Sequence, residues 1–145
     1  MKIKVLKTNR DAVLPTRGSN GAAGYDLYAN IEQGEIQIKP RQTVKIKTGI
    51  AMEIPEGYGG FVYARSGLAS KKGLRPANCV GVIDSDYRGE IIVALHNDSE
   101  FEQTIINGDR IAQIVVKPFL DCEFIEVDTL SDTTRGLGGF GSTGK

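Results

Sequence analysis

Gly81 to Gly89 reads G-V-I-D-S-D-Y-R-G and sets a carboxylate, Asp84, at the end of an apolar run. An aromatic ring, Tyr87, follows three residues later, and an amide, Asn78, stands just upstream. Asp, Ser and Gly serve a turn for backbone reasons alone. The sharper reading is a carboxylate held at a strand end to work on a substrate. Three further clusters carry polar chemistry, and each also has a plain structural reading. Ala22 to Ala29, A-A-G-Y-D-L-Y-A, holds Asp26, a possible turn former. Ala64 to Ala69, A-R-S-G-L-A, sets Arg65 beside Ser66 and Gly67, where Ser can cap a short helix. Gly108 to Val115, G-D-R-I-A-Q-I-V, holds Asp109, Arg110 and Gln113, and an exposed Asp–Arg pair is worth little by itself.

The last eleven residues, Arg135 to Lys145, read R-G-L-G-G-F-G-S-T-G-K. So many glycines make a packed strand costly in backbone entropy, which suits a flexible terminus. The same tail carries an anion binder (Arg135), a stacking ring (Phe140) and two hydroxyls (Ser142 and Thr143). Backbone N–H groups that glycine leaves free can wrap phosphate oxygens. Gly139 to Lys145 imitates the start of a phosphate-binding P-loop. That motif needs a preceding strand, a Ser or Thr after the Lys, and a following helix, and this sequence stops at Lys145.

The elements that must position these residues are short strands. K-I-K-V-L-K, E-I-Q-I-K, T-V-K-I-K-T-G-I-A-M-E-I, Y-G-G-F-V-Y-A, G-E-I-I-V-A-L-H-N, Q-T-I-I-N and C-E-F-I-E-V-D all alternate apolar and polar residues. Gly, Pro, Asn or Asp separate them. This pattern predicts an all-β domain, a sandwich or barrel. Ser66 to Lys72 can form one or two helical turns. No repeat or interdomain linker interrupts the chain, and 145 residues suit one domain with a real core.

Lys plus Arg and Asp plus Glu both number 18, so the basic footprint of a duplex nucleic-acid binder is absent. No apolar run has membrane-spanning length, and the N-terminal segment lacks the apolar core of a signal peptide. Cys79 and Cys122 are far apart without C-x-x-C spacing, which suits reduced thiols in a cytoplasmic protein. His96 is the single histidine, so a multi-histidine metal site is excluded. It lies near the end of a strand-like run and reads as a strand-end residue rather than a catalyst.

In this order and spacing, the five clusters from Ala22 to Gly144 resemble the five motifs of the trimeric deoxyuridine triphosphatases (dUTP diphosphatases). A-R-S-G-L-A and G-V-I-D-S-D-Y-R-G carry the resemblance most specifically. One departure is Leu137, where many members have an acidic residue. The resemblance implies a distorted, barrel-like jelly roll over residues 1–134 and a flexible glycine-rich C-terminal arm over 135–145. It also implies a homotrimer whose active sites draw on all three chains. The implied reaction is hydrolysis of dUTP to dUMP and pyrophosphate, which keeps uracil out of DNA and supplies dUMP for thymidylate synthesis.

By match, Asp84 activates the water. Asn78 and the backbone of Val82, Ile83 and Asp84 read uracil, and Tyr87 lies under the deoxyribose and crowds out a 2′-hydroxyl. Arg65, Ser66, Gly67 and Gln113 bind phosphate. Arg135, Gly141, Ser142 and Thr143 close over the outer phosphates while Phe140 stacks on the base. Mg2+ is the implied cofactor, with Asp26 reaching it through water. The nearest enzyme rival is the sister dCTP deaminase, which would release ammonia. A non-catalytic nucleotide-binding homologue, or a β-barrel module for single-stranded nucleic acid, is the rival from another class. Neutral charge and few aromatics oppose the nucleic-acid form.

Overall fold

Period-two alternation becomes eleven strands in the computed structural model, which describes residues 1–139. In chain order the strands are β1 (Lys4–Lys7), β2 (Tyr25–Tyr28), β3 (Glu35–Ile38), β4 (Thr43–Lys47), β5 (Ile50–Glu53) and β6 (Tyr58–Tyr63). One helix, α1 (Ser66–Lys72), follows, and then β7 (Leu74–Pro76), β8 (Gly81–Ile83), β9 (Ile92–Asn97), β10 (Gln103–Ile106) and β11 (Arg110–Pro118). Every pairing is antiparallel. The sheets run β1-β5, β10-β3, β2-β11-β6-β8 and β4-β9-β7. They pack as an all-β, jelly-roll-like domain and do not close into a barrel.

Alternation decides what is buried. In β9, Val93, Leu95 and Asn97 point inward between exposed or half-exposed neighbours. Leu27, Ile38, Ile46, Leu74, Ile105, Ile111 and Ile114 complete the same core. Each such aliphatic side chain contributes about 1.5–3 kcal/mol when fully buried. Asn97 is the polar exception and is satisfied, because its amide donates to the carbonyls of Ile38 (2.9 Å) and Phe101 (2.8 Å). Pro76 is tolerated because β7 is an edge strand.

Some expectations change. T-V-K-I-K-T-G-I-A-M-E-I is two strands, broken where Gly49 takes φ +68. Asp26 lies inside β2 rather than in a turn. Ser66 is the first residue of α1, and the N-cap is Arg65, with no side-chain capping bond. C-E-F-I-E-V-D forms no strand, and Phe124 is 95% and Ile125 74% exposed. An alternating segment needs a neighbouring edge, and this one pairs with none among the described residues. Phe140, Gly141, Ser142 and Thr143 lie outside the described residues.

Candidate active site

The residues singled out above gather in two places on the β2-β11-β6-β8 sheet. The first is a row across its middle, where Gln113 on β11 sits opposite Asp26 on one side and Tyr63 on the other. A register shift between Arg110 and Ala112 makes this row possible. In a regular strand, residues three apart face opposite sides. The extra residue reverses the phase after Ile111, so Arg110 and Gln113 share a face while Ile111 and Ala112 are both buried.

Asp26 is the hub of this row, with its side chain 14% exposed. One carboxylate oxygen accepts Arg65 Nε at 2.8 Å, and the other accepts Arg110 Nη1 at 3.2 Å. Arg65 Nη1 also donates to the Arg110 carbonyl at 3.3 Å. Gln113 Nε2 donates to the Ala64 carbonyl at 2.9 Å, which ties β11 to the start of the Arg65 segment. Ser66 and Gly67 then open α1, whose first turn holds no acidic residue. The first N–H groups of a helix lack helical partners and favour anions. A Cβ at Gly67 would meet nothing in this chain, so the backbone there is open to close approach.

The second place is β8 and the turn after it. Asn78, Val82, Ile83, Asp84, Tyr87 and Glu90 line a cavity of about 390 Å³. β8 is the outer strand of its sheet, so part of its backbone polar edge is unpaired. The Asn78 amide lies against Gly81, whose Cβ would fall 3.3 Å from Nδ2. Among the described residues, neither the Asn78 amide nor the Asp84 carboxylate has a side-chain hydrogen bond. The Asp84 carbonyl accepts Tyr87 N–H at 3.2 Å, which closes the turn. The Tyr87 hydroxyl donates to the Glu90 carbonyl at 3.0 Å, and the residue is 43% exposed. A larger cavity, about 770 Å³, adjoins on the other side of Asp84 and takes in Phe61, Arg88 and Phe119.

Behind Asn78, Arg75 holds Asp98 through two bonds of 2.6 and 3.2 Å and reaches the Cys79 sulfur at 3.7 Å. Arg75 pulls the Asp98 carboxyl below its ordinary range, with smaller pulls from His96 and Arg41. His96 is the penultimate residue of β9 and packs with Thr43 and Asp98 as a structural side chain.

The structure does not bring the two places together within one chain. Ile83 pairs with Gly60, so Asp84 comes level with Gly59 near the start of β6, whereas Arg65 lies beyond its end. Arg135 joins neither, and its Nε donates to the Gly138 carbonyl at 2.8 Å. Reading residues alone missed Gly24 and Gly89, and it set Arg110 beside Asp109 as a surface pair, whereas Arg110 bonds Asp26. A Cβ on Gly24 would fall 2.5 Å from Gln113 Oε1, and one on Gly89 would fall 2.6 Å from Tyr87 Cζ. Their neighbours in space are distant or turned in sequence, and only the glycines inside the quoted motifs hinted at them.

This arrangement agrees with the comparisons. The family model described as dUTPase matches residues 10–144, which span all five clusters. The deoxyuridine 5'-triphosphate nucleotidohydrolase of Desulfitobacterium hafniense (strain DSM 10664 / DCB-2) is 53% identical, over 99% of this chain and 97% of its own. That of Nautilia profundicola is 50% identical over 100% of both. Among solved structures, Staphylococcus bacteriophage 80alpha dUTPase with dUPNHPP superposes with TM-score 0.90, at 30% identity over 99% of each chain. A mutant dUTPase from phage phi11 of S. aureus, described with a structural Mg(II) ion, superposes with TM-score 0.79 at 26% identity, over 89% of this chain and 98% of its own. Sequence, fold and the placement of the motif residues lead to one conclusion: the chain belongs to the dUTPase family.

Proposed function

We propose that this protein is a dUTP diphosphatase, hydrolysing dUTP to dUMP and pyrophosphate in a site that copies of the chain complete together. The observation that carries this reading is the β8 cavity. It joins a carboxylate and an amide that have no side-chain hydrogen bond among the described residues, an open strand edge and an exposed aromatic residue.

Asn78 can donate and accept, as the O4 and N3–H edge of uracil requires. Cytosine would leave that amide and the β8 edge mismatched, a strong ground for discrimination. The Tyr87 ring lies under the sugar. Asp84 accepts a proton from water as the water oxygen bonds to the α-phosphorus. The bond from that phosphorus to the bridging oxygen breaks, pyrophosphate departs, and the proton later passes to solvent. No covalent intermediate is needed.

Arg65, the open backbone at Ser66 and Gly67, and Gln113 bind the phosphates. Asp26 presets Arg65 in the extended direction. Arg135, Gly141, Ser142 and Thr143 close over the outer phosphates, and Phe140 stacks on the base, as the family resemblance implies.

The cofactor is Mg2+. A carboxylate has about four lone-pair positions, and Asp26 gives two to guanidinium donors. The remainder suit a water of a hydrated ion that keeps several waters and takes its other ligands from the substrate. When bound, the ion neutralises charge on the phosphate oxygens.

Copies enter because Asp84 and Arg65 are too far apart along β6 to grip one triphosphate. The exposed alternating segment from Cys122 to Asp128 also seeks a strand edge. Both observations support sites shared between copies, and the family resemblance makes that assembly a homotrimer. Two exposed, unpaired cysteines suit the cytoplasm. The test is pyrophosphate release from each of dUTP, dCTP, dTTP, dATP and UTP with Mg2+. Selective release from dUTP is expected. Ammonia from dCTP, or no turnover of any nucleotide, would overturn the reading.

A further inference from the structure

Tyr87 is held from two sides. Its hydroxyl is committed to the Glu90 carbonyl, and its ring lies on Gly89, where a Cβ would come within 2.4 Å of the hydroxyl oxygen. The ring therefore stands wherever Glu90 puts it. Glu90 itself is fastened to the Thr48–Ile50 turn. Its carboxylate accepts the Gly49 N–H at 2.7 Å, in a half-buried position. The next residue is clasped to the same turn, since Ile91 N–H donates to the Ile50 carbonyl at 2.8 Å. The Ile91 carbonyl accepts Thr48 Oγ1 at 2.6 Å. Gly49 takes φ +68, and a Cβ there would lie 2.6 Å from that of Ala12, so the turn has little freedom to shift. Glu90 also lines the cavity that holds Asn78, Asp84 and Tyr87.

We infer that Glu90 is a positioning residue for Tyr87: by anchoring on Gly49 it fixes the ring that separates deoxyribose from ribose. The inference rests on the dUTP reading for the ligand. Without the Glu90 carboxylate, the Gly49 N–H loses its acceptor, and the Glu90–Ile91 peptide that carries the carbonyl keeps the Ile91 N–H bond to Ile50 but loses the second anchor on the turn. The ring then moves, and space for a 2′-hydroxyl opens. A Gln at this position still presents an oxygen to Gly49 N–H and keeps the anchor.

The experiment compares dissociation constants for dUMP and UMP by calorimetry in wild type, Glu90→Gln, Glu90→Ala and Gly89→Ala, with melting temperatures alongside. Using nucleoside monophosphates makes the measurement independent of turnover. The preference for dUMP should fall about tenfold in Glu90→Ala and Gly89→Ala, and stay near wild type in Glu90→Gln. A lower Tm with an unchanged dUMP-to-UMP ratio in the two Ala variants would overturn the inference and leave Glu90 merely structural. Equal losses in Glu90→Gln and Glu90→Ala would overturn the role of the acceptor oxygen. Wild type that prefers dUMP but fails to hydrolyse dUTP would sink the functional reading alone. Wild type that binds no dUMP would overturn both.

Discussion

Asp84 and Arg65 stand at opposite ends of β6. Asp84 follows the Ile83–Gly60 pair, and Arg65 follows the last residue of the strand, Tyr63. At ~3.3 Å per residue the two are separated by roughly 20 Å along the chain direction. One end carries the proposed base and the base-reading pocket, and the other carries the phosphate-binding row.

At the first end, Asp84→Asn should leave the fold and nucleotide binding largely intact while turnover collapses. Its carboxylate has no side-chain partner among the described residues, so little structure depends on its charge. Loss of a general base typically lowers the rate by about a hundredfold or more. Calorimetric dUMP affinity near wild type with pyrophosphate release down by that factor is the expected pair of results. Turnover near wild type would remove Asp84 from its role.

At the other end, Gly24→Ala should act through Gln113. The new methyl would sit 2.5 Å from Gln113 Oε1, and the flexible amide must swing away. Phosphate contacts should weaken, with kcat/KM for dUTP falling about tenfold to a hundredfold. Folding should change little, because the contact is with a side-chain end rather than the core. A large drop in Tm with unchanged kinetics would contradict this.

The Arg75–Asp98 pair predicts a pH signature. Arg75 lowers the folded-state pKa of Asp98 relative to the unfolded chain. A depressed carboxylate pKa adds stability that is present above the unfolded value, near 4, and is lost as pH falls through the folded value. Both side chains are more than a third exposed, so the effect is modest. Arg75→Ala should lower Tm at pH 7, and the gap from wild type should shrink as pH drops below about 4. A gap that holds constant to pH 2 would assign the loss to packing instead.

Removal of residues 135–145 should impair catalysis far more than folding. Among the described residues, Arg135 makes hydrogen bonds only within its own turn, and Leu137 is fully exposed. A chain ending at Thr134 should melt within a few degrees of wild type and hydrolyse dUTP much more slowly. Full kcat/KM in the truncated protein would exclude a closing arm.

How much of this was legible in sequence follows from what each feature depends on. The strand around Val93 and Leu95 was visible because its burial pattern is its own alternation. Asp84, Asn78 and Tyr87 stood out because a local turn groups them. The Asp26 clamp was not visible, since it needs Arg65 and Arg110 brought in from two other segments and a register shift at Ile111. Gly89 looked like any turn glycine until the Tyr87 ring was seen lying on it. C-E-F-I-E-V-D carried a true strand alternation, but a strand requires a partner edge, and this segment docks on none among the described residues. The helix span Ser66 to Lys72 was legible, but its cap was not: the N-cap is the extended Arg65, which bonds Asp26, rather than Ser66.

The separation of Asp84 from Arg65 makes one measurement decisive. Asp84→Asn and Arg65→Ala each remove one half of the site, so each variant alone should be nearly inactive. Co-expressed with different tags and purified through both, they form mixed assemblies in which some sites draw Asp84 from one copy and Arg65 from another. Pyrophosphate release from dUTP should return to a substantial fraction of wild type in these mixed assemblies. Mixed assemblies as inactive as the separate variants would contradict a site shared between chains.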